Sequence, residues 1–411
     1  MINYKKLLLI TFLSFTAIHF FAADSPSRTI DLYGFVRNDL YVNSRQNTEV
    51  LDGIFNIFPK PKDIDAFGKD LNDQPNAEML SIATRLGLDI KSNLIALGAK
   101  TSAKIEFDFA GISTSYYLVR LRQAYVKFNW SDKTELLIGQ TWHPMFGNVI
   151  PTIISINTGS PFQPFNRSPQ IRLTENLTKN LSLIAAASYQ MQYMSQGPLG
   201  SSASYLKNAL LPNLFLGFES KTSHWTTGLG FDTKTIKINN DNLSSFSGVI
   251  YSQCIKNNLQ VKAKVMLGEN MSDHMMVGGY GISGYDASTR TTDYTSFNTL
   301  SSWINIVYGK KVQVGIFSGI SQNLGTNQSL MSSATGKFTT YGYGFTAGTQ
   351  SQIDQIFRIS PFVAYNTSNI KLAFEYELTN ANYGTIEKTG RVKDPYSVTN
   401  HRALASISYS F

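Results

Sequence analysis

The sequence has little of what several protein classes depend on. Cys254 is the single cysteine among 411 residues, which excludes an intramolecular disulfide and a cysteine-ligated metal cluster. HExxH, Walker and glycine-rich dinucleotide motifs are missing, and His143, His224, His274 and His401 lie in no catalytic signature. We therefore expect a chain that is not an enzyme and that has neither a metal nor a cofactor.

Long apolar runs are also missing outside the N-terminus, and a helical membrane protein needs runs of about 18 or more such residues. At the N-terminus, two lysines precede an apolar run (7–21) that ends in Ala22 and Ala23. This pattern predicts a cleaved secretory signal peptide over 1–23 and one domain over 24–411. The alternative, a membrane anchor, is disfavoured because the run is short and ends in small residues.

Overall hydropathy and charge leave two interpretations open. The mean hydropathy is −0.13, which is typical of a soluble protein but also of a membrane barrel, where apolar and polar side chains alternate and cancel. The net charge is +8. A basic balance is compatible with nucleic-acid binding. In an exported β-protein, however, it more often indicates a basic lumen or surface that meets anions, so we expect no nucleic acid.

The last eleven residues alternate strictly between two faces. Successive side chains of a strand point to opposite sides, so one face is apolar and the other mostly polar. A soluble sandwich strand alternates in the same way, but a chain end normally frays into water. An aromatic terminal residue indicates instead a strand that closes a membrane barrel, with Tyr409 and Phe411 in the aromatic girdle. The apolar face carries Ala403, Ala405, Ile407, Tyr409 and Phe411.

Similar alternating runs fill the rest of the chain, sixteen in all, with mostly tight turns on one side and mostly long loops on the other. Transmembrane barrels show this asymmetry, whereas a soluble sandwich has no reason to sort its loops. We predict an all-β fold, a transmembrane antiparallel β-barrel of sixteen strands with an aqueous lumen, in the bacterial outer membrane. The first five runs begin near residues 30, 80, 100, 116 and 136, and the others occupy 168–174, 180–190, 213–220, 224–236, 244–254, 259–268, 298–308, 311–320, 354–365, 370–380 and 400–411.

The fourth run departs from this pattern. Its lipid-facing parity, set by Val126 and Phe128, also exposes Arg120 and Arg122. A charge on the lipid face near the midplane costs about 2–4 kcal/mol. A bulge, a strand that continues above the membrane, or burial by another subunit must therefore intervene.

The third long loop, over 143–167, is unusually apolar for a surface loop. It contains Ile153, Ile154 and Ile156, which need a surface to pack on, and the inner wall of the barrel offers one. We expect this loop to fold into the lumen and narrow it. The alternative is an external lid or a contact within a trimer.

Four motifs resemble those of the DcaP-like porins of Gram-negative outer membranes. They are Leu-Tyr-Gly-Phe-Val-Arg (32–37), Leu-Arg-Gln-Ala-Tyr (121–125), Gly-Gln-Thr-Trp (139–142) and Pro-Phe-Gln-Pro-Phe-Asn-Arg-Ser-Pro-Gln-Ile-Arg (161–172). The resemblance implies a homotrimeric general porin with sixteen strands and a basic constriction that favours anions such as dicarboxylates. It also implies that the barrel-insertion machinery recognises the C-terminal signal formed by Tyr409 and Phe411.

Strand parity and loop position supply the candidate pore residues. We hypothesise that Arg122, Arg167 and Arg172 face the loop and favour anions, since arginine binds carboxylates in a bidentate manner. The alternative is that wall carboxylates neutralise each arginine. The full set comprises Arg37, Arg85, Arg120, Arg122, Arg167, Arg172 and Arg402, with the aromatic residues Trp142, Phe146, Phe162 and Phe165.

Together these features predict a porin in outer-membrane lipid through which small hydrophilic solutes diffuse passively. A barrel with a closed lumen that acts as an adhesin or receptor through its long loops is the alternative.

Overall fold

The computed structural model of the protein describes residues 28–50, 53, 55–110, 118–344 and 351–411. The predicted signal peptide and the predicted start of the fourth run at Tyr116 lie outside these residues. The α-helix at Ser204–Ala209 is short. Among the described residues, no helix has the length and apolar character needed to cross a membrane.

Within the described ranges the chain is almost entirely strand. The strands are β1 (Arg28–Asn43), β2 (Asn47–Val50), β3 (Phe55–Pro59), β4 (Asn76–Leu80), β5 (Arg85–Ala96), β6 (Ala99–Asp108), β7 (Arg120–Trp130), β8 (Thr134–Trp142), β9 (Arg167–Asn176), β10 (Leu181–Ser188), β11 (Asn213–Lys221), β12 (Trp225–Ile238), β13 (Asp241–Lys256), β14 (Leu259–Glu269), β15 (Gly278–Asp286), β16 (Thr291–Gly309), β17 (Val312–Thr326), β18 (Thr340–Tyr343), β19 (Ser351–Asn366), β20 (Ile370–Ile386) and β21 (Val392–Ser410).

The main sheet closes on itself. β1 pairs with β21 on one side and with β4 and β5 on the other, and every pairing around the ring is antiparallel. β4 and β5 together form one wall strand, while β15 and β18 extend the wall beyond β14 and β16. The wall is therefore the predicted closed barrel of 16 strands. Closure leaves no open edge of unpaired backbone groups, which lipid does not tolerate.

The two faces of the wall differ as the alternation predicts. On β11, Leu214 and Leu216 are each 51% exposed, whereas Asn213 and Phe215 between and beside them are buried. We call the side with the exposed apolar residues the outer face and the opposite side the inner face. The apolar core lies against the inner face, between wall residues such as Trp303 and the connections after β1 and β8.

The terminal strand closes the ring as the sequence predicts. The backbone N–H of Gly34 donates to the carbonyl of Phe411 and that of Phe411 to the carbonyl of Gly34, both at 3.2 Å. Tyr409 and Phe411 are 50% and 46% exposed on the outer face, and Arg402 is 2% exposed on the inner face. The predicted parity of this strand is confirmed.

A β-bulge resolves the irregular fourth run. Gln123 pairs with Glu106 and Leu121 pairs with Phe107, so Arg122 is the extra residue between the two pairs. Beyond the bulge the parity of β7 is reversed, and Leu121 is 42% exposed while Arg122 is 5% exposed. The first of the three predicted explanations therefore holds, because one inserted residue turns both arginines of this run inward.

Two connections predicted to be long are largely strand. β20 continues to Ile386 and β21 begins at Val392, so the predicted loop over 381–399 is a hairpin with a short turn. The predicted loop over 269–297 contains β15 and the start of β16. These extensions carry polar side chains on the face that is apolar in the rest of the wall, for example at the paired residues Asn382 and Ser397, so apolar alternation gives no signal there.

Candidate functional site

The connection between β8 and β9 (143–166) is held at its tip by two wall strands. Arg37 of β1 donates a hydrogen bond from Nη2 to the carbonyl of Ile154 at 2.7 Å. The carboxylate of Glu375 on β20 accepts from the backbone N–H groups of Ile154 and Ser155 at 2.7 and 3.1 Å. Arg37 and Glu375, two oppositely charged wall residues, thus bind the same peptide segment. Arg37 binds its carbonyl group and Glu375 binds its N–H groups.

The same connection bonds to strands farther round the ring. Lys262 of β14 donates to the carbonyl of Ile150 at 3.1 Å, and Lys264 donates to the carbonyl of Phe146. Asn305 of β16 accepts from the N–H of Thr152 at 2.7 Å. β14 and β16 lie several strands away from β8 in the sheet order, so the segment bonds to strands from distant parts of the ring.

A second segment, which was not predicted from the sequence, also packs on the inner face. The hairpin of β2 and β3 has all five residues of β3 buried. Arg358 of β19 donates to the carbonyl of Ile57 in this hairpin at 2.7 Å and to the carbonyl of Ser160 in the 143–166 connection at 2.9 Å. One buried arginine therefore ties both segments to the wall. The short apolar run Phe55–Pro59, within an otherwise polar connection, is the signal that could have found it.

Four of the seven predicted arginines come together near the start of the 143–166 connection. Arg122 donates to Glu106 at 2.7 Å and to Asp108 at 2.8 Å. Arg120 binds Asp108 through two hydrogen bonds of 2.9 and 2.6 Å, and Arg85 lies 4.0 Å from Glu106. We call these three arginines, their two carboxylates and Arg167 the arginine cluster.

Arg167 differs from the other members because no carboxylate among the described residues pairs with it. Its side chain is fully buried and donates to Gln192 and to the hydroxyl of Tyr193, both at 3.2 Å, while Nη1 has no hydrogen-bond partner. Its guanidinium carbon lies 4.7 Å from the ring centroid of Trp142. A cation over an aromatic face is attracted by the ring quadrupole, which partly offsets the missing counter-charge.

Three of the four predicted aromatic residues pack together beside this cluster. Trp142 stacks on Phe146 with ring centroids 4.0 Å apart and meets Phe165 edge-on at 4.9 Å. Phe162 lies elsewhere, against Phe317 at 6.0 Å and under Arg358. The structure therefore brings three of the four predicted aromatic residues together.

Arg37, Arg172 and Arg402 bond to groups outside the cluster, although Arg37 lines the same cavity as Arg85 and Arg122. Arg37 pairs with Asp39 at 2.9 Å. Arg172 donates to the carbonyl of Trp142 and to Gln170 on its own strand, and Arg402 approaches the carbonyl of Gly53 at 3.4 Å over the ring of Tyr41. Wall carboxylates thus pair with Arg37, Arg85, Arg120 and Arg122, as one of the two hypotheses stated, while Arg167, Arg172 and Arg402 donate to neutral groups.

Two cavities adjoin the arginine cluster. One has a volume of about 310 Å³ and is lined by Arg85, Arg122 and Glu106 together with Ile154 and Phe165. The other, of about 460 Å³, is bordered by Arg120, Gln192 and Tyr193 and is otherwise mostly apolar. Charged side chains therefore line accessible space, where a solute can meet them.

Two histidines lie in the loops beside this region. Burial lowers the pKa of His274 to about 4 and holds the pKa of His143 well below its usual range. Both imidazoles are consequently neutral at pH 7, which leaves a lone pair on each ring.

No protein-family model matches the chain, and no curated protein matches it by sequence. Solved structures do match. The outer membrane channel DcaP of Acinetobacter baumannii is 18% identical, with a TM-score of 0.68 over 93% of this chain and 97% of that chain. This chain has the porin fold. The anion-selective porin from Comamonas acidovorans is 10% identical, with a TM-score of 0.56 over 94% of this chain and 100% of that one.

The trimer form of OmpT, an outer membrane protein of Vibrio cholerae, is also similar to this chain. It is 10% identical, with a TM-score of 0.53 over 94% of this chain and 100% of that chain. At identities of 10–18% the similarity concerns the porin fold. At the level of the fold, the resemblance to the DcaP-like porins predicted from the motifs is confirmed, together with the all-β class and the closed barrel.

Proposed function

We propose that this protein is an outer-membrane porin that lets small hydrophilic solutes diffuse passively and that favours anions such as dicarboxylates. Supporting observations are the closed barrel with its exposed apolar outer face and the similarity to porins and channels of outer membranes. Channel neighbours also favour a transport protein over an enzyme. We also propose that the protein is exported from the cytoplasm of a Gram-negative bacterium to its outer membrane and that its signal peptide is cleaved.

The arginine cluster is the observation that carries the proposed anion preference. It sets the guanidinium groups of Arg85, Arg120, Arg122 and Arg167 against only the carboxylates of Glu106 and Asp108. Charge on a pore wall selects permeating ions by sign. The excess positive charge attracts anions, and guanidinium forks fit carboxylates.

The 143–166 connection serves, in this proposal, as the constriction of the lumen. Its contacts with β14, β16, β19 and β20 support this role, because those strands lie across the ring from its attachment at β8 and β9. It also contacts β1, about a quarter of the ring away. Trp142, Phe146, Phe162 and Phe165 would then shape the narrowed passage beside the arginine cluster.

One observation favours the second candidate function, an adhesin or receptor with a closed lumen. The buried hairpin of β2 and β3 occupies the inner face in addition to the 143–166 connection, so more of the interior is filled than one loop accounts for. Liposome swelling separates the two functions. A porin admits succinate and a small neutral sugar and gives measurable swelling, whereas liposomes with a closed barrel swell no faster than empty ones.

A homotrimer is the proposed assembly. The similarity to a structure that is itself a trimer form supports it, as do the exposed apolar side chains of the outer face, which require lipid or another subunit. Sedimentation in a neutral detergent is expected to give three times the mass of the chain, and a purely monomeric species would contradict the assembly.

Tyr409 and Phe411 are proposed to act as the signal for the barrel-insertion machinery. Phe411 also contributes two backbone hydrogen bonds to the closing seam. Deleting Phe411 is expected to reduce the amount of folded protein in the outer-membrane fraction strongly, because recognition and closure are both impaired. Ser410→Ala, with its side chain exposed next to it, is the matched control. Unchanged insertion of the deletion variant would refute the assignment.

A further inference from the structure

Three potential metal ligands from separate parts of the chain meet beside the 143–166 connection. His143 follows β8 directly, Asp232 points inward from β12, and His274 ends a one-turn 3₁₀ helix at Met271–His274. One ligand atom of each residue lies within 4.8 Å of the others. The rings of the two histidines are 4.9 Å apart, centroid to centroid, and nearly perpendicular.

All three side chains are buried and incompletely bonded. His143, Asp232 and His274 are 1%, 4% and 2% exposed. Nε2 of His143, Oδ1 of Asp232 and Nδ1 of His274 have no hydrogen-bond partner, although the first two lie 3.5 Å apart. Buried polar atoms are nearly always satisfied, so three incompletely bonded side chains whose ligand atoms lie within 4.8 Å of one another require an explanation.

We propose that His143, Asp232 and His274 form a binding site for a divalent transition-metal ion of the Zn²⁺ type. Two imidazoles and one carboxylate are a donor set that Zn²⁺, Ni²⁺ and Co²⁺ accept, and three protein ligands leave a coordination position for water or a solute. Softer thiolate-selecting ions are disfavoured because no cysteine is nearby.

The neighbouring charges are compatible with this ion. Asp273 is already bonded, since it accepts from Lys234 and, at 2.9 Å, from Gln190. That pairing leaves Asp232 as the carboxylate that lacks a cation. The other cations near the three ligands are Arg172, beside His143, and Lys234, beside His143 and Asp232. Neither forms a salt bridge with Asp232.

Binding requires two small adjustments. Zn²⁺ with ligand bonds of about 2.1 Å holds tetrahedral ligand atoms about 3.4 Å apart, so the side chains must close inward by roughly an ångström. His143 Nδ1 accepts a weak bond of 3.3 Å from the N–H of Met145, which places the proton of the neutral ring on Nε2. The ion replaces that proton, which moves to Nδ1 as the bond from Met145 is given up.

Such an ion would fix the 143–166 connection at its first residue. His143 begins the 143–166 connection, Asp232 belongs to the wall, and the carbonyl of His274 already accepts from the N–H of Phe165 at 2.8 Å. A metal bound to all three would join the two ends of this connection to the wall. Loss of the ion is then expected to loosen the segment.

Zinc titration of the full chain in detergent micelles tests the proposal. After EDTA treatment and its removal, isothermal titration calorimetry is expected to give one Zn²⁺ per chain, and Zn²⁺ is expected to raise the melting temperature. Co²⁺ should give visible absorption bands of a nitrogen–oxygen site. His274→Gln and Asp232→Asn are expected to weaken Zn²⁺ binding by at least about tenfold, as loss of a ligand or its support does.

His224→Gln is the matched control, since His224 is exposed at a turn, and it should bind Zn²⁺ as the wild type does. The proposal is overturned if the wild-type protein binds no Zn²⁺, gives no Co²⁺ spectrum and shows no thermal shift. This outcome is decisive even if a variant fails to fold. Equal binding by the wild type, His274→Gln and Asp232→Asn would overturn it as well. None of these measurements depends on channel activity, so the result is independent of the proposed porin function.

Discussion

Replacing Arg122 and Arg167 together by glutamine is expected to abolish the proposed anion preference. The change leaves Arg85 and Arg120 opposite Glu106 and Asp108, so the positive and negative charges of the cluster become equal. With no net charge left in the cluster, its preference for one sign is lost, and anions and cations of similar size are expected to permeate with a ratio of about 1. The zero-current potential in a planar bilayer under a KCl gradient measures this ratio.

Arg290→Gln is the matched control for this double variant. Arg290 lies exposed at the turn between β15 and β16, and its replacement removes the same charge outside the cluster. Its zero-current potential should equal that of the wild type. If the double variant keeps the full anion preference while inserting normally, the arginine cluster does not set the selectivity.

Replacing Arg358 by leucine is expected to release both inner segments. Its guanidinium donates to carbonyls of the β2–β3 hairpin and of the 143–166 connection, and it lies 3.4 Å from Glu377. Breaking a buried pair by removing one partner costs about 3–5 kcal/mol, because the other charge stays buried without compensation. Both segments lose that anchor, so the free cross-section of the lumen should increase.

Single-channel conductance and limited proteolysis measure this release. Arg358→Leu is expected to conduct more current than the wild type and to be cleaved faster within the two segments. Arg290→Leu, the same exchange at an exposed turn, should change neither property. An Arg358→Leu channel with wild-type conductance and wild-type protease resistance would show that the remaining contacts suffice to hold both segments.

The barrel itself was predictable because lipid imposes a strict rule on each strand. Leu32, Val36 and Leu40 share the parity opposite to that of Asp31, Arg37 and Asp39, and all three are exposed on the outer face as their parity predicts. The pairing of the first run with the last one follows from closure, and Phe411 bonds to Gly34 accordingly. The conflict at Arg120 and Arg122 could be recognised but not resolved from the sequence, because a bulge at Arg122 depends on its partner strand.

The interior was less predictable because its contacts join residues that are distant in the chain. Arg358 and Asn56, which bond at 3.3 Å, are 302 positions apart, and no local pattern connects them. The three groups His143, Asp232 and His274 show the same limitation, since each histidine taken alone lies in no motif. The arginine cluster was found in part, because strand parity placed Arg85, and the family motif that contains Arg167 marked the loop end.

The zero-current potential of the wild-type channel under a KCl gradient tests the central claim most directly. An anion-preferring porin is expected to give a stable conductance with a zero-current potential displaced from zero toward the equilibrium potential of Cl⁻. A potential displaced toward that of K⁺, or a barrel that inserts but conducts no current, would contradict the account.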